Sequence, residues 1–104
     1  MQRIAFTMKL FPGNAAEYKR RHEALWPELQ LLLKDAGIED YSIFLDENTN
    51  VLFGYLRIAD SALLDELPNR PIMKTWWAYM KDIMETNSDN SPMSIPLQEV
   101  FYLP

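Results

Sequence analysis

Two segments of this 104-residue chain are apolar at consecutive positions, Val51–Leu56 and Val100–Leu103. Side chains of a β-strand alternate between the two faces of its sheet, so each segment, when extended, directs apolar groups to both faces. A sheet built from these segments needs cover on both sides. The chain length matches one domain, residues 1–104, because a typical domain holds roughly 100–150 residues.

The polarity pattern predicts the element order β-α-β-β-α-β. Apolar residues at every second position indicate a first strand over about 3–10, which Pro12-Gly13 ends. Asn14, with Glu17 three residues later, has the form of a capping box and begins a helix that reaches Ala36. The remaining predicted features are a helix stop at Gly37, a kink or helix restart at Pro27, a hairpin of strands about 40–46 and 50–58, a short helix or turn over 60–67 closed by Pro68, a helix from Pro71 to about Met84, an irregular loop from Thr86 to Pro96, and a last strand from Leu97 to Leu103.

This order is that of the ferredoxin-like α+β fold, in which two helices cover one face of an antiparallel sheet. The second face then has no cover within the chain. Another copy of the same protein, with its sheet packed on this one, is the simplest cover, and we therefore predict a homodimer.

The composition excludes several kinds of site. The chain has one histidine and no cysteine, so it can form neither a zinc site of several His or Cys ligands nor a thiolate nucleophile. Its formal net charge of −5 argues against nucleic-acid binding, which depends on clustered Lys and Arg. Met1–Phe11 lacks the apolar stretch of a signal peptide and no segment is apolar over a membrane-spanning length, so we expect a cytoplasmic protein without a membrane partner.

His22 is the candidate acid–base residue, because it is the only side chain whose ordinary pKa, roughly 6.5, lies near neutral pH. Tyr18 lies one helical turn earlier on the same apolar face, where its hydroxyl can share a ligand with the imidazole. A lone histidine on an apolar helix face is also commonly a packed core residue. The spacing by itself leaves both interpretations open.

Three aromatic residues are further candidates for a binding site. Trp76 and Trp77 diverge by about 100° on a helix, so one can pack in the core while the other borders a cavity. Aromatic walls suit sugars, whose C–H faces stack on π surfaces, although filling the core is the commoner role of a tryptophan on such a face. Tyr41 shares the face of Ile43 and Leu45 in its strand, and a packed aromatic with its hydroxyl at an edge is the simplest interpretation.

Several motifs together resemble the L-rhamnose mutarotase family over nearly the whole chain. These motifs are Tyr18-Lys19-Arg20-Arg21-His22, Leu25-Trp26-Pro27-Glu28-Leu29, Trp76-Trp77, Asp89-Asn90-Ser91-Pro92 and the ending Leu97-Gln98-Glu99-Val100-Phe101-Tyr102-Leu103-Pro104. The pattern Tyr-x3-His-x3-Trp-Pro-Glu with a distant Trp-Trp is fairly specific. The resemblance implies a dimeric ferredoxin-like α/β-barrel that interconverts the α and β anomers of L-rhamnose, an isomerase of rhamnose metabolism that requires no cofactor and no metal.

The resemblance also implies roles for single residues. His22 matches the proton donor, and Tyr18, Tyr41, Trp76 and Trp77 match the sugar-contacting positions. Anomer exchange needs a proton delivered to the ring oxygen and another removed from the anomeric hydroxyl, and general acid–base catalysis accelerates such transfers by about 10²–10⁴-fold. Two alternatives remain, namely a cofactor-independent oxygenase of the dimeric α/β-barrel type and a non-catalytic small-sugar-binding protein.

Overall fold

The computed structural model of the protein describes all 104 residues. The elements along the chain are strand β1 (Gln2–Lys9), helices α1 (Ala15–Glu23) and α2 (Pro27–Asp35), strands β2 (Ile38–Asp46) and β3 (Val51–Ile58), a 3₁₀ helix (Ser61–Asn69), helix α3 (Pro71–Met80) and strand β4 (Ile95–Leu97). The strands form one antiparallel sheet in the order β2-β3-β1-β4. This topology confirms the predicted ferredoxin-like α+β fold.

The first helical segment is divided before Pro27. Helix α1 ends at Glu23 and α2 begins at Pro27, whose ring lacks an N–H and suits the first position of a helix. The predicted restart is therefore confirmed. The predicted capping box is wrong, because the Asn14 side chain donates to carbonyls of the preceding turn, while Glu17 accepts hydrogen bonds from two arginines.

An irregularity in β2 decides which side of the sheet its later residues face. The pairing with β3 shifts between Glu39 and Ser42, and Asp40 in this stretch has a left-handed φ of 51°. Such a bulge inserts one residue, so the alternation of side chains is reset. Tyr41 consequently faces the same side of the sheet as the buried Ile38.

Helices α1, α2 and α3 pack on one face of the sheet, which we call the covered face. Its core consists of two clusters of buried side chains: Met8, Leu10, Tyr18, Leu29, Leu52, Trp76, Met80, Ile83 and Met84 in the larger, and Ile38, Leu56 and Ile58 in the smaller. The Phe6 ring lies over Gly54, where a Cβ would come within 2.5 Å of the ring. Gly54 therefore provides the space that Phe6 occupies.

The opposite face of the sheet, which carries Phe44, Phe53, Ile95 and Leu97, is the open face. The strand register places Phe44, Phe53, Thr7 and Ile95 side by side in one row across all four strands. Phe44 is 70% exposed and Ile95 is 66% exposed. This row is apolar and largely uncovered within the chain, as the sequence predicts, whereas Arg3 and Arg57 make one end of the same face charged.

The predicted last strand, Leu97–Leu103, is wrong in its bounds. Strand β4 is only three residues long and pairs with residues 5–7 of β1, and residues 98–104 are irregular. Beyond Leu97 only side chains connect the tail to β1. Arg3 makes two hydrogen bonds of 2.8 Å to Glu99 and lies 3.4 Å from the centre of the Tyr102 ring. A strand needs a backbone neighbour, and no strand of this chain pairs with the apolar tail.

Two further bounds differ from prediction. Helix α3 ends at Met80 instead of about Met84, because the backbone of the next residues bonds to the end of β1, with Phe11 N–H donating to the Ile83 carbonyl at 2.9 Å. The 3₁₀ helix continues past Pro68 instead of ending there. No helix has both the length and the apolar character needed to cross a membrane.

Candidate active site

A cavity of about 1330 Å³ lies between the helices and the covered face of the sheet. All five predicted site residues line it: Tyr18 and His22 from α1, Tyr41 from β2, and Trp76 and Trp77 from α3. The fold therefore brings together side chains from three separate segments of the chain. Most of the other lining residues are hydrophobic, and the polar ones include the charged side chains of Lys19, Lys34, Glu39, Asp40 and Glu47.

The imidazole of His22 is held in one orientation by a backbone contact. Its Nδ1 lies 2.9 Å from the carbonyl oxygen of Tyr18, one turn earlier in α1. A carbonyl oxygen only accepts, so in the neutral ring Nδ1 carries the hydrogen and Nε2 carries the lone pair. Burial lowers the pKa of His22 from its ordinary 6.5, and the ring is therefore mainly neutral at pH 7.

The two tyrosines supply hydroxyl groups that stay protonated. Burial raises the pKa of Tyr18 above its ordinary 10, and the neighbouring Tyr41 phenol adds to the effect. Tyr41 keeps 39% of its surface accessible, but the protein around its hydroxyl raises its pKa to about 12. Both groups can thus donate hydrogen bonds to a ligand at neutral pH, and neither is suited to be a base.

Trp76 lies at the centre of an aromatic cluster beside the imidazole. Its ring centroid is 5.4 Å from that of His22, 5.0 Å from that of Trp26 and 5.6 Å from that of Tyr79. The predicted division, with one tryptophan in the core and the other at a cavity, holds only in part. Trp76 is buried in the core, Trp77 is half-buried, and both border the cavity.

Arg21 fixes α1 against the end of α3, a role that the sequence analysis missed. Its guanidinium donates to Glu17 at 2.7 Å, to Asp82 at 2.9 Å and to the carbonyl of Tyr79 at 2.7 Å, and only 8% of its surface is exposed. The spacing of Glu17 and Arg21 by one helical turn was the available signal. Tyr79 on α3 and Asp82 just after it are far from Arg21 in sequence, so these two contacts could not be predicted from spacing.

The segment that follows α3 also contributes to the cavity wall, through Asn87, Ser91, Pro92 and Ser94. The sequence of this segment predicts only an irregular loop. No three His, Asp or Glu side chains are arranged so that they could hold a metal ion.

The fold and the cavity define a class: a ferredoxin-like α+β protein that holds a single imidazole among aromatic side chains. The family model described as L-rhamnose mutarotase matches residues 3–103 of the chain. The chain therefore belongs to the L-rhamnose mutarotase family.

Individual proteins agree with this assignment. The chain is 55% identical to the L-rhamnose mutarotase of Rhizobium meliloti over 103 residues, which is 99% of each chain. The crystal structure of L-rhamnose mutarotase from Formosa agariphila matches the whole of both chains with a TM-score of 0.94 and 52% identity. A Mycobacterium tuberculosis protein shares the fold at a TM-score of 0.55 and 14% identity, over 99% of this chain and 100% of the other.

Proposed function

We propose that this chain interconverts the α and β anomers of L-rhamnose and serves rhamnose metabolism as an isomerase. Membership of the mutarotase family supports the proposal. The observation that carries it is that His22, with a free Nε2, and four aromatic side chains line one cavity, which is large enough for a monosaccharide and combines apolar walls with polar side chains.

Anomer exchange is a ring opening followed by a ring closure. The anomeric hydroxyl O1 loses its proton, the bond between C1 and the ring oxygen breaks, C1 becomes an aldehyde carbon, and the ring oxygen gains a proton. Rotation about C1–C2 presents the other face of the aldehyde. The same steps in reverse then close the ring with the opposite configuration at C1, so the protons balance and no electrons leave the sugar.

The Nε2 atom of His22 is suited to move the proton in both directions. Because Nδ1 holds its hydrogen on the Tyr18 carbonyl, Nε2 has the lone pair and accepts the proton of O1. The imidazolium so formed then donates a proton to the ring oxygen, which lies close to O1 because both are bonded to C1. His22 is thus the proton donor of ring opening, after a first step as base, and no tyrosinate is needed.

The aromatic side chains bind and orient the sugar. The Tyr18 and Tyr41 hydroxyls donate hydrogen bonds to sugar oxygens, since both phenols keep their protons. The faces of Trp76 and Trp77 contact the C–H groups of the ring and the methyl group of the 6-deoxy sugar. A neutral substrate that exchanges protons makes small demands on charge, which fits the mainly hydrophobic lining.

His22→Gln is the primary test of the proposed function. Glutamine fills a similar volume but has no titratable nitrogen, so exchange should slow by about 10²–10⁴-fold while the protein stays folded. Saturation-transfer NMR on L-rhamnose measures the exchange rate, and circular dichroism checks the fold. Glu28→Gln, on the exposed surface of α2, is the control and should keep the original rate. Near-normal exchange by folded His22→Gln would contradict the proposal.

The pH profile tests the protonation state of His22. The neutral ring is the active base, and burial lowers its pKa, so the rate should be at its plateau at pH 7 and fall as the pH drops through a value below 6.5. A rate that increases toward acid pH would instead show that the imidazolium is the resting form.

The same sample distinguishes the alternative functions. Consumption of oxygen with a hydroxylated aromatic product would indicate the oxygenase, and tight binding of the sugar without accelerated exchange would indicate a sugar-binding protein.

We further propose that the protein works as a cytoplasmic homodimer in which two open faces pack together. Support for the dimer comes from the row of exposed apolar side chains on the open face, with Phe44 70% exposed and Ile95 66% exposed. Cell fractionation tests the location, and light scattering at micromolar concentration tests the dimer.

A further inference from the structure

The loop after α3 has a fixed structure at the cavity wall, and the proposed function makes no use of it. Thr86 and Pro92 pair as an isolated antiparallel bridge, and the Asn87 N–H donates to the Ser91 carbonyl at 2.7 Å. Asn90 closes the turn with a left-handed φ of 70°. Asn87 and Ser91 both line the cavity that contains His22.

The hydrogen bonds among the side chains of this loop have defined directions. Asp89 accepts from the Ser91 N–H at 2.9 Å and from the Ser91 hydroxyl, and these bonds lower its pKa, so it is ionised and cannot donate. The Ser91 oxygen must therefore accept from Asn87, whose Nδ2 lies 3.0 Å away. The second Nδ2 hydrogen points to the carbonyl of Pro92 at 3.4 Å.

These directions leave one polar atom of the Asn87 side chain without a partner, its carbonyl oxygen Oδ1. The amide cannot rotate by half a turn, because Oδ1 would then face the Pro92 carbonyl, which is also an acceptor. The Asp89 carboxylate thus fixes the Ser91 hydroxyl, and the hydroxyl fixes the Asn87 amide. The result is a hydrogen-bond acceptor of set orientation on an exposed residue that lines the cavity.

We propose that Asn87 determines substrate specificity, with its Oδ1 accepting a hydrogen bond from one ring hydroxyl of the pyranose, and that Ser91 and Asp89 are positioning residues for it. The inference rests on the proposed function, since the pyranose is the substrate of that same cavity. The tyrosines offer donors and the tryptophans offer apolar faces. Gln30, Glu39, Asp40 and Glu47 also line the cavity, but Asp40 accepts from Arg57 and no hydrogen bond within the chain orients the other three, so Asn87 differs from them in holding a fixed acceptor. A site built to bond a hydroxyl discriminates against a sugar that lacks it.

The test compares L-rhamnose with its 2-deoxy, 3-deoxy and 4-deoxy analogues, using kcat/KM for anomer exchange from saturation-transfer NMR. In the original protein, removal of the bonded hydroxyl should lower kcat/KM by about tenfold, the value of one neutral hydrogen bond. Asn87→Ala should lose about the same factor with L-rhamnose and show no further loss with that deoxy sugar. In Ser91→Ala, removal of the same hydroxyl from the sugar should lower kcat/KM by a smaller factor than in the original protein. Ser88→Ala is the control, in the same loop but outside the cavity lining, and should change nothing.

Two results would overturn the inference. One is original activity of Asn87→Ala on L-rhamnose, and the other is an Asn87→Ala variant that is slower on all four sugars by the same factor, which would indicate a structural role for the loop. If the original protein fails to accelerate exchange at all, the proposed function fails separately. Calorimetric titration with L-rhamnose then decides the inference, since Asn87→Ala should weaken binding about tenfold, and equal binding would overturn it.

Discussion

The two faces of the sheet are made by alternate residues of the same strands, yet they have opposite surroundings. On the covered face, Leu52 is 2% exposed and Leu56 is 3% exposed, both beneath helices. On the open face, Phe53, which follows Leu52 in β3, is 41% exposed. Its cross-strand partner in β2, Phe44, is 70% exposed. One strand sequence therefore supplies both the base of a cavity and an exposed apolar surface.

This difference gives a chain of 104 residues a cavity on one face of the sheet and an exposed apolar row, the proposed dimer interface, on the other. Because side chains alternate with a period of two, substitutions at neighbouring positions should have effects of different kinds. Changes on the covered face should act on stability and on the site. Changes on the open face should act on assembly.

The largest expected effect is the loss of assembly in Phe44→Asp. In the proposed dimer, a charge in the middle of the open face places an unpaired carboxylate in the interface between the two sheets, so the protein should be a monomer at micromolar concentration. Light scattering measures the molar mass. Leu31→Asp is the matched control, since Leu31 is an exposed leucine on α2, 61% accessible, and its substitution should leave the dimer intact. If Phe44→Asp is still a dimer, the open face does not form the interface.

The next largest effect is the destabilisation caused by Leu52→Ala. Leu52 belongs to the larger core cluster, so truncation should lower the free energy of unfolding by about 2–5 kcal/mol, the usual cost of a core leucine. Urea denaturation in the Phe44→Asp background removes any contribution of the dimer to the measurement. In the same background, Phe53→Ala should cost about 1 kcal/mol, because its side chain is partly solvated already. Equal losses for the two variants would show that both faces are covered within one chain.

The sequence predicts the sheet and its two faces well because both depend on local alternation. The strands of the hairpin, the helix restart at Pro27 and the stop at Gly37 follow from side-chain period and backbone preference. The predicted strand over Leu97–Leu103 is wrong because pairing is a property of neighbours in space. Val100 and Leu103 have the composition of a strand, but no strand of this chain lies beside them.

For the site, residue spacing predicts that Tyr18 and His22 share a face, and the family resemblance adds Tyr41, Trp76 and Trp77. Two things depend on contacts between distant segments and have no signal in the spacing. One is the hold of Arg21 on Asp82. The other is the hydrogen-bond directions that orient the loop after α3, which follow only from its folded conformation.

A smaller effect is expected for Gly54→Ala, which tests how the covered face supports the cavity. The new methyl group would lie 2.5 Å from the end of the Phe6 ring, so the ring must move, at a cost of about 1–3 kcal/mol in the free energy of unfolding. Phe6 packs edge-to-face on Tyr41 at 6.3 Å, and KM for L-rhamnose should therefore increase as well.

The control for Gly54→Ala is the double variant with Phe6→Leu, in which the smaller side chain makes space for the methyl group. Stability should recover in part, although the contact with Tyr41 is lost. If the double variant is less stable than the sum of the two single variants predicts, the crowding between residues 6 and 54 is not the cause.

The smallest effect is expected from removing a single hydroxyl group, either from Tyr18 in the cavity or from Tyr55 on the open face. The Tyr18 hydroxyl has no hydrogen-bond partner within the chain, so Tyr18→Phe should leave the melting temperature unchanged or raise it. Its bond to the sugar is lost, however, and kcat/KM should fall by roughly tenfold or less, well short of the loss in His22→Gln. Tyr55→Phe makes the same chemical change on the open face, beside Ala5 and Ser42, and should not alter the exchange rate. An unchanged exchange rate in both variants would show that the Tyr18 hydroxyl does not bond the sugar. An equal decrease in both would show that the open face also supports the reaction.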